Sequence, residues 1–202
     1  MAVEKSKLLF IMSSACSLLF LSSCDPVSWA IGGTAVAGAE VARNQKGLGG
    51  AASDTALQAE INKFLFDNDR DIFDRVELSI KHGKVVVIGY MKDKDQCVRA
   101  IELVKKAGGA QAIFDETSIG DLPDAKDLFA DSGITSRIKS AMLFDGNIQS
   151  LNYDITTVKG VVYICGTAQS EYERDLVINC ARNTSSVIKV VAYISINKDG
   201  AQ

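Results

Sequence analysis

Four aspartates, Asp67, Asp69, Asp71 and Asp74, fall within one short stretch, with Asn68 between the first two. Hard oxygen ligands at that density are what a calcium loop uses. The stretch lacks the mid-loop glycine and the terminal bidentate glutamate of an EF-hand, so it reads as a solvated loop. His82 is the sole histidine, which argues against a histidine-based metal site or a base-assisted nucleophile. The five cysteines, Cys16, Cys24, Cys97, Cys165 and Cys180, match no zinc spacing. No phosphate-cradling glycine loop and no nucleophile elbow is present. No catalytic residue, no metal and no cofactor are therefore expected, and the chain is read as non-enzymatic.

The residue with chemistry to do is Cys24. Lys5 and Lys7 precede an apolar run from Leu8 to Leu21, well short of the roughly 20 residues a membrane span needs. The run ends in Leu21-Ser22-Ser23-Cys24. Two small residues let the backbone enter a peptidase site, and the thiol that follows is the nucleophile for diacylglyceryl transfer. This is the pattern of a bacterial lipobox. Residues 1–23 are accordingly read as a signal peptide that is removed. Cys24 then carries a covalent N-terminal lipid, and several acyl chains of the palmitate kind anchor the protein stably. The expected location is the periplasmic side of the envelope. Asp25 resembles an inner-membrane retention signal, so inner and outer membrane both stay open, with the outer preferred. The mature chain keeps Cys97, Cys165 and Cys180, an odd number that closes no disulfide framework. They read as small core or strand residues, although one bridge between two of them stays open.

Composition bounds the partners. With 202 residues, 47% hydrophobic and 23% charged, the chain suits one or two small globular domains. Its formal charge of −3 argues against a nucleic-acid binder that works by neutralising phosphates.

The elements that must position any site come as a repeat. Gly83-Lys84-Val85-Val86-Val87-Ile88-Gly89 returns 77 residues later as Gly160-Val161-Val162-Tyr163-Ile164-Cys165-Gly166. At the same offset Leu57, Ile61, Phe64 and Leu65 fall on Ile134, Ile138, Ala141 and Met142, the spacing of one amphipathic helix face. Asp54 or Thr55, and Ser132, suit the N-caps of these helices. Val76, Leu78 and Ile80 alternate with polar residues as a half-buried strand, matched by Tyr153, Ile155 and Thr157. His82-Gly83 and Lys159-Gly160 read as tight turns in which glycine supplies positive φ. A second helix follows, with Val98, Ile101, Leu103 and Val104 apolar in copy one and Leu176, Val177, Ile178 and Cys180 in copy two. Strands from Ala110 to Ile119 and from Val187 to Ile196 close the units.

The predicted fold is thus α+β, two tandem αββαβ units, each with two helices on one face of a three-stranded sheet. The expected boundaries are signal peptide 1–23, lipidated Ala/Gly-rich tether 24–53, domain one 54–119, acidic linker 120–131 with room for a short helical turn from Ala125 to Ala130, domain two 132–196 and a tail 197–202. Domains this small bury only about 60% of their unfolded surface, so the copies are expected to lean on each other. Val162 and Ile164 should face the helices, with Tyr163 and Cys165 on the other side of the sheet.

The glycine-bracketed strand Gly160-x-Val162-x-Ile164-x-Gly166, the helix ending Cys180-Ala181-Arg182 and the segment Ile134-Thr135-Ser136-Arg137-Ile138 resemble the BON domain. Copy one matches more loosely. A lipobox, a short Ala/Gly segment and two such copies are similar to the dual BON-domain lipoproteins of Gram-negative bacteria. The resemblance implies a role in envelope integrity and binding of anionic membrane phospholipid through the first helix of the second domain, here Ser132 to Leu143. Other envelope proteins stay open as partners, which would make the chain an interaction adaptor. With Ile134, Ile138, Ala141 and Met142 turned to the core, Thr135, Ser136, Arg137, Lys139, Leu143 and Phe144 become the expected lipid contacts. Residues 132–196 carry six Lys/Arg against five Asp/Glu, whereas residues 54–119 carry ten against twelve. The second copy is thus the better match for an anionic surface. One departure stands out: relatives often carry tryptophan just before the Ile-Thr of this helix, and this chain has Gly133.

Overall fold

The computed structural model describes residues 48–197. The signal segment, Cys24, the tether up to residue 47 and residues 198–202 lie outside the described residues. No helix among the described residues is long and apolar enough to cross a membrane.

Each copy builds the same unit. In the first, α1 (Leu48–Asn68) and the short α2 (Arg70–Phe73) lead into β1 (Val76–Lys81) and β2 (Lys84–Met91); α3 (Lys94–Ala107) then crosses to β3 (Ala112–Ile119). In the second, α4 (Ala125–Phe144) and a 3-10 turn (Ser150–Asn152) lead into β4 (Tyr153–Val158) and β5 (Val161–Ala168), and α5 (Glu171–Arg182) crosses to β6 (Lys189–Ile196). Both sheets have their first two strands antiparallel and their last two parallel. Val76 pairs with Gly89 and Lys84 with Ala112; 77 residues on, Tyr153 pairs with Gly166 and Val161 with Lys189. The repeat therefore holds in strand register, where a one-residue slip would turn every side chain to the wrong face.

The helices cover one face of each sheet, as expected. Ile61, Leu65, Leu103 and Val104 pack on Val85 and Val87; Ile134, Ile138, Met142 and Val177 pack on Val162 and Ile164. Two expected core positions are corrected. Ala141 is exposed, because the buried stripe of α4 runs through positions 134, 138 and 142. Val98 is also exposed, because the stripe of α3 runs through Ala100, Leu103 and Val104.

Both first helices start earlier than their expected caps. α1 is helical from Leu48, six residues before Asp54, since Ala51, Ala52 and Ala56 favour helix. α4 starts at Ala125 instead of Ser132, so most of the expected acidic linker is helix. Its cap is Asp124, whose carboxylate accepts the Asp127 N–H at 2.8 Å while Asp127 accepts the Asp124 N–H at 3.2 Å. This reciprocal capping box, with acid in the first turn opposite the helix dipole, is what the acidic residues do there.

The opposite faces of the sheets pack on each other. Val86 and Ile88 meet Tyr163 and Cys165, and Phe114 stacks on Tyr193 with centroids 4.2 Å apart. Burying an apolar side chain of this size contributes about 1.5–3 kcal/mol, which is how two domains too small to be secure alone support each other. The contacts follow a pseudo-twofold. His82 Nδ1 lies 3.2 Å from Thr167 Oγ1, and at the matched positions Lys159 Nζ sits 4.4 Å from the centroid of the Tyr90 ring. Glu116 and Tyr193 occupy equivalent positions in the two copies and hydrogen-bond to each other across the axis. The tandem is thus a fused counterpart of an isologous dimer.

Candidate functional site

The surface available for function is shaped by two buried carboxylates. Asp54 accepts the N–H groups of His82 and Gly83 at 2.8 and 2.9 Å; Asp131 accepts those of Lys159 and Gly160 at 2.7 and 2.8 Å. Both turn residues have positive φ, 51° and 73° in the first copy, 48° and 75° in the second, as a type I′ hairpin requires. His82 and Lys159 adopt a conformation that L-residues avoid, and the carboxylate across the turn stabilises it. Asp54 is therefore a hairpin clamp and not the N-cap expected for it.

The pseudo-twofold leaves a cleft of about 680 Å³ between β1 and β4, walled by α1 at Asp54 to Gln58 and by α4 from Leu128 to Lys139. Glu77 and Asp154 meet there. Ser79 donates to Asp154 Oδ2 at 2.7 Å. Burial, and then the Asp154 charge, raise the pKa of Glu77. An acid whose folded pKa lies above its unfolded value binds more protons when folded, so its contribution to stability falls as pH rises through that window. Glu77→Gln is expected to raise the urea midpoint at neutral pH and to leave it unchanged below the ordinary glutamate range. Equal midpoint shifts at both pH values would refute the carboxylate conflict.

The expected lipid contacts are split by the structure. Thr135, Ser136 and Lys139 line the cleft, with Thr135 donating to Thr157 Oγ1 at 2.7 Å. Arg137 lies on the other flank of α4 and donates to the Ser185 carbonyl at 3.2 Å. Leu143 and Phe144 stand exposed at the helix C-terminus. Apolar residues that the sequence reading passed over are also exposed, among them Phe129 on the first turns of α4, Leu151 and Tyr172. Comparing the copies position by position would have singled out the last two, since both fall on aspartates in copy one.

The remaining chemistry-bearing residues serve the fold. Asp69 caps α2 and pairs with Arg99 at 3.2 Å; Asp74 pairs with Arg70 at 4.0 Å, and Asp67 with Lys63. Asp71 takes Lys92 at 2.7 Å, Gln96 at 2.6 Å and Arg75 at 3.2 Å, and these donors, Lys92 first, hold its pKa down to about 2. Cys97, Cys165 and Cys180 are free thiols with no disulfide. Burial between the sheets pushes the Cys165 thiol up to about 11, which makes it a packing group. Burial also lowers the His82 pKa, with Lys81 acting in the same direction.

Comparison with known proteins agrees with this architecture. The BON domain model matches twice, at residues 53–121 and 130–198. An uncharacterized protein in the gshII 5′ region of Anaplasma centrale is 31% identical over 144 residues, covering 71% of this chain and 94% of its own. The outer membrane lipoprotein DolP of Haemophilus influenzae is 26% identical over 175 residues, covering 86% and 88%. The osmotically-inducible protein Y of Escherichia coli is 26% identical over 158 residues, covering 76% and 78%. Two matched domains that span most of the chain, each carrying the glycine-bracketed strand and the helix-to-turn clamp, place this protein in the BON domain family.

Proposed function

We infer that this protein is a non-enzymatic envelope lipoprotein, anchored through Cys24, whose second BON domain binds anionic phospholipid at the membrane surface and supports envelope integrity. The observation that carries the reading is α4. It places Lys139, with no ion pair among the described residues, on the same helix as exposed Leu143 and Phe144, in a chain that matches an outer membrane lipoprotein over 88% of that protein's length. A cation beside exposed apolar residues on a surface helix is an interfacial contact. In this reading Thr135, Ser136 and Arg137 border the contact without inserting.

The reading is tested by vesicle flotation of the mature chain with Cys24→Ala, which removes the acyl anchor. Flotation with phosphatidylglycerol vesicles at low salt is expected, weakening as salt shortens the screening length. Lys139→Glu is expected to reduce it severalfold. Absence of flotation at low salt would sink lipid binding and leave the second reading, a membrane-anchored adaptor for another envelope protein. The cleft between the copies favours that alternative, since Tyr90, Leu122 and Leu128 give it apolar walls. Fractionating cells that express Cys24→Ala tests the anchor by itself: release from the membrane fraction is expected.

A further inference from the structure

The copies superpose in sequence at an offset of 77, so each is a reference for the other. They differ sharply at the end of the domain remote from the hairpin turn. In the second copy α4 finishes there in Leu143 and Phe144, the 3-10 turn carries Leu151, and α5 begins with Glu171 and Tyr172. These four apolar side chains are 66%, 84%, 86% and 65% exposed for Leu143, Phe144, Leu151 and Tyr172. The matched residues of the first copy are Phe66, Asp67, Asp74 and Asp95. Three of those are carboxylates. The fourth, Phe66, is 44% exposed, less than any of the four, with Phe73 edge-on at 5.4 Å and the Arg70 guanidinium at 4.5 Å. At these four positions the first copy carries three carboxylates and a partly covered ring, and the second presents hydrocarbon to water.

A buried carboxylate holds the apolar tip together. Glu173 accepts the Gln149 N–H at 2.8 Å and the Gln169 N–H at 2.7 Å. It thereby ties the loop bearing Leu151 to the start of α5 bearing Tyr172, while Ile148 plugs the core beneath. The four side chains stand on the end of the domain and do not line the cleft between the copies. A projecting apolar tip gives a small molecule no walls, but it can enter the boundary between headgroups and acyl chains, where the amphipathic tyrosine ring is favoured. The bilayer is within reach: residues 25–47 separate Cys24 from α1, and that length of chain spans up to about 80 Å.

We propose that Leu143, Phe144, Leu151 and Tyr172 form a membrane-inserting tip, a second anchor independent of the acyl chains. It rests on the reading that the second domain meets a lipid surface, and extends the contact beyond α4 to Leu151 and Tyr172. The charges around the tip are Asp145, Glu171 and Asp175 against Arg174, which pairs with the last two, and Lys139 one helical turn before Leu143. Insertion is therefore apolar-driven and needs no anionic headgroup.

The test is the double variant Leu151→Asp/Tyr172→Asp, which installs the residues the first copy carries at those positions. Both sites are exposed, and an acid in the first turn of α5 favours the helix, so circular dichroism is expected to be unchanged. The mature Cys24→Ala chain is floated with vesicles of phosphatidylcholine alone and of phosphatidylcholine with phosphatidylglycerol. The parent is expected to float with both, and the double variant to lose about tenfold or more in partitioning to both. If Lys139→Glu then weakens only the mixed vesicles, both readings stand; if it weakens neither, the tip stands and the anionic reading falls. A double variant that floats like its parent overturns the tip and leaves the anionic reading intact. A parent that floats with neither vesicle overturns both. A dimer in sedimentation that the double variant dissolves, without flotation, overturns the proposal in favour of an interface between copies of this chain.

Discussion

Asp131→Ala is expected to lower the unfolding free energy by about 3–5 kcal/mol, read from urea denaturation followed by circular dichroism. The carboxylate accepts two backbone N–H bonds while almost fully buried, and a hydrogen bond to a charged group contributes about 1.5–3 kcal/mol. Its removal leaves the Lys159 and Gly160 amides without that acceptor in a turn where Lys159 already sits at φ 48°. Asp131→Asn keeps one acceptor oxygen and is expected to lose less than half as much. Asp54→Ala should act in the same direction in the first copy, because its bonds to His82 and Gly83 have the same geometry. A loss under about 1 kcal/mol for Asp131→Ala would mean that the hairpin holds its shape unaided.

The clamp also marks how far the sequence could be read. Period-two alternation and the glycine-bracketed strands fixed each unit and the faces of Val162, Ile164, Tyr163 and Cys165, because burial on one side of a sheet leaves a direct trace in sequence. Asp54 and Asp131 left a misleading one. An acid ahead of an apolar helix stripe looks like an N-cap, and its partners, the turn amides, are 28 and 29 residues away. No local pattern reports such a bond. The start of α4 was legible only as a short turn, Ala125 to Ala130, and not as the beginning of the long helix. Asp124 and Asp127 reciprocally cap it, but four aspartates among few apolar residues read as a solvated linker.

How the copies meet was legible only in part. Tyr163 and Cys165 could be assigned to the outer face of their sheet, but that face looked like an ordinary second surface. Only the pairing of Val86 and Ile88 with them makes it an interior. The functional surface was legible to the same extent. Helix periodicity exposed Leu143 and Phe144, whereas Leu151 and Tyr172 lie on separate elements joined through the Glu173 carboxylate. Their meaning comes from divergence between repeats that otherwise share register. Where two copies must fold alike, a position that turns from aspartate to leucine or tyrosine without becoming buried answers to something other than the fold.

The last glycine of each bracketed strand separates folding constraint from local preference, and the same substitution should act with opposite sign at two sites in one domain. A Cβ on Gly166 would lie 2.5 Å from the Asn152 carbonyl oxygen and 2.6 Å from Tyr153 Cδ1. Gly89 is held the same way, 2.4 Å from the Arg75 carbonyl. Neither glycine needs positive φ; each is required because the chain entering the neighbouring strand passes directly over it. Gly166→Ala must move backbone in a packed sheet, and about 3 kcal/mol of destabilisation is expected. Gly133 sits within α4 with nothing within 4 Å of its missing Cβ, and alanine is the better helix former by about 0.8–1 kcal/mol. Gly133→Ala is therefore expected to raise the urea midpoint. A stabilising Gly166→Ala would show that the sheet can relax around a methyl group there. A destabilising Gly133→Ala would place an unseen partner against the outer face of α4, the face on which the lipid reading depends.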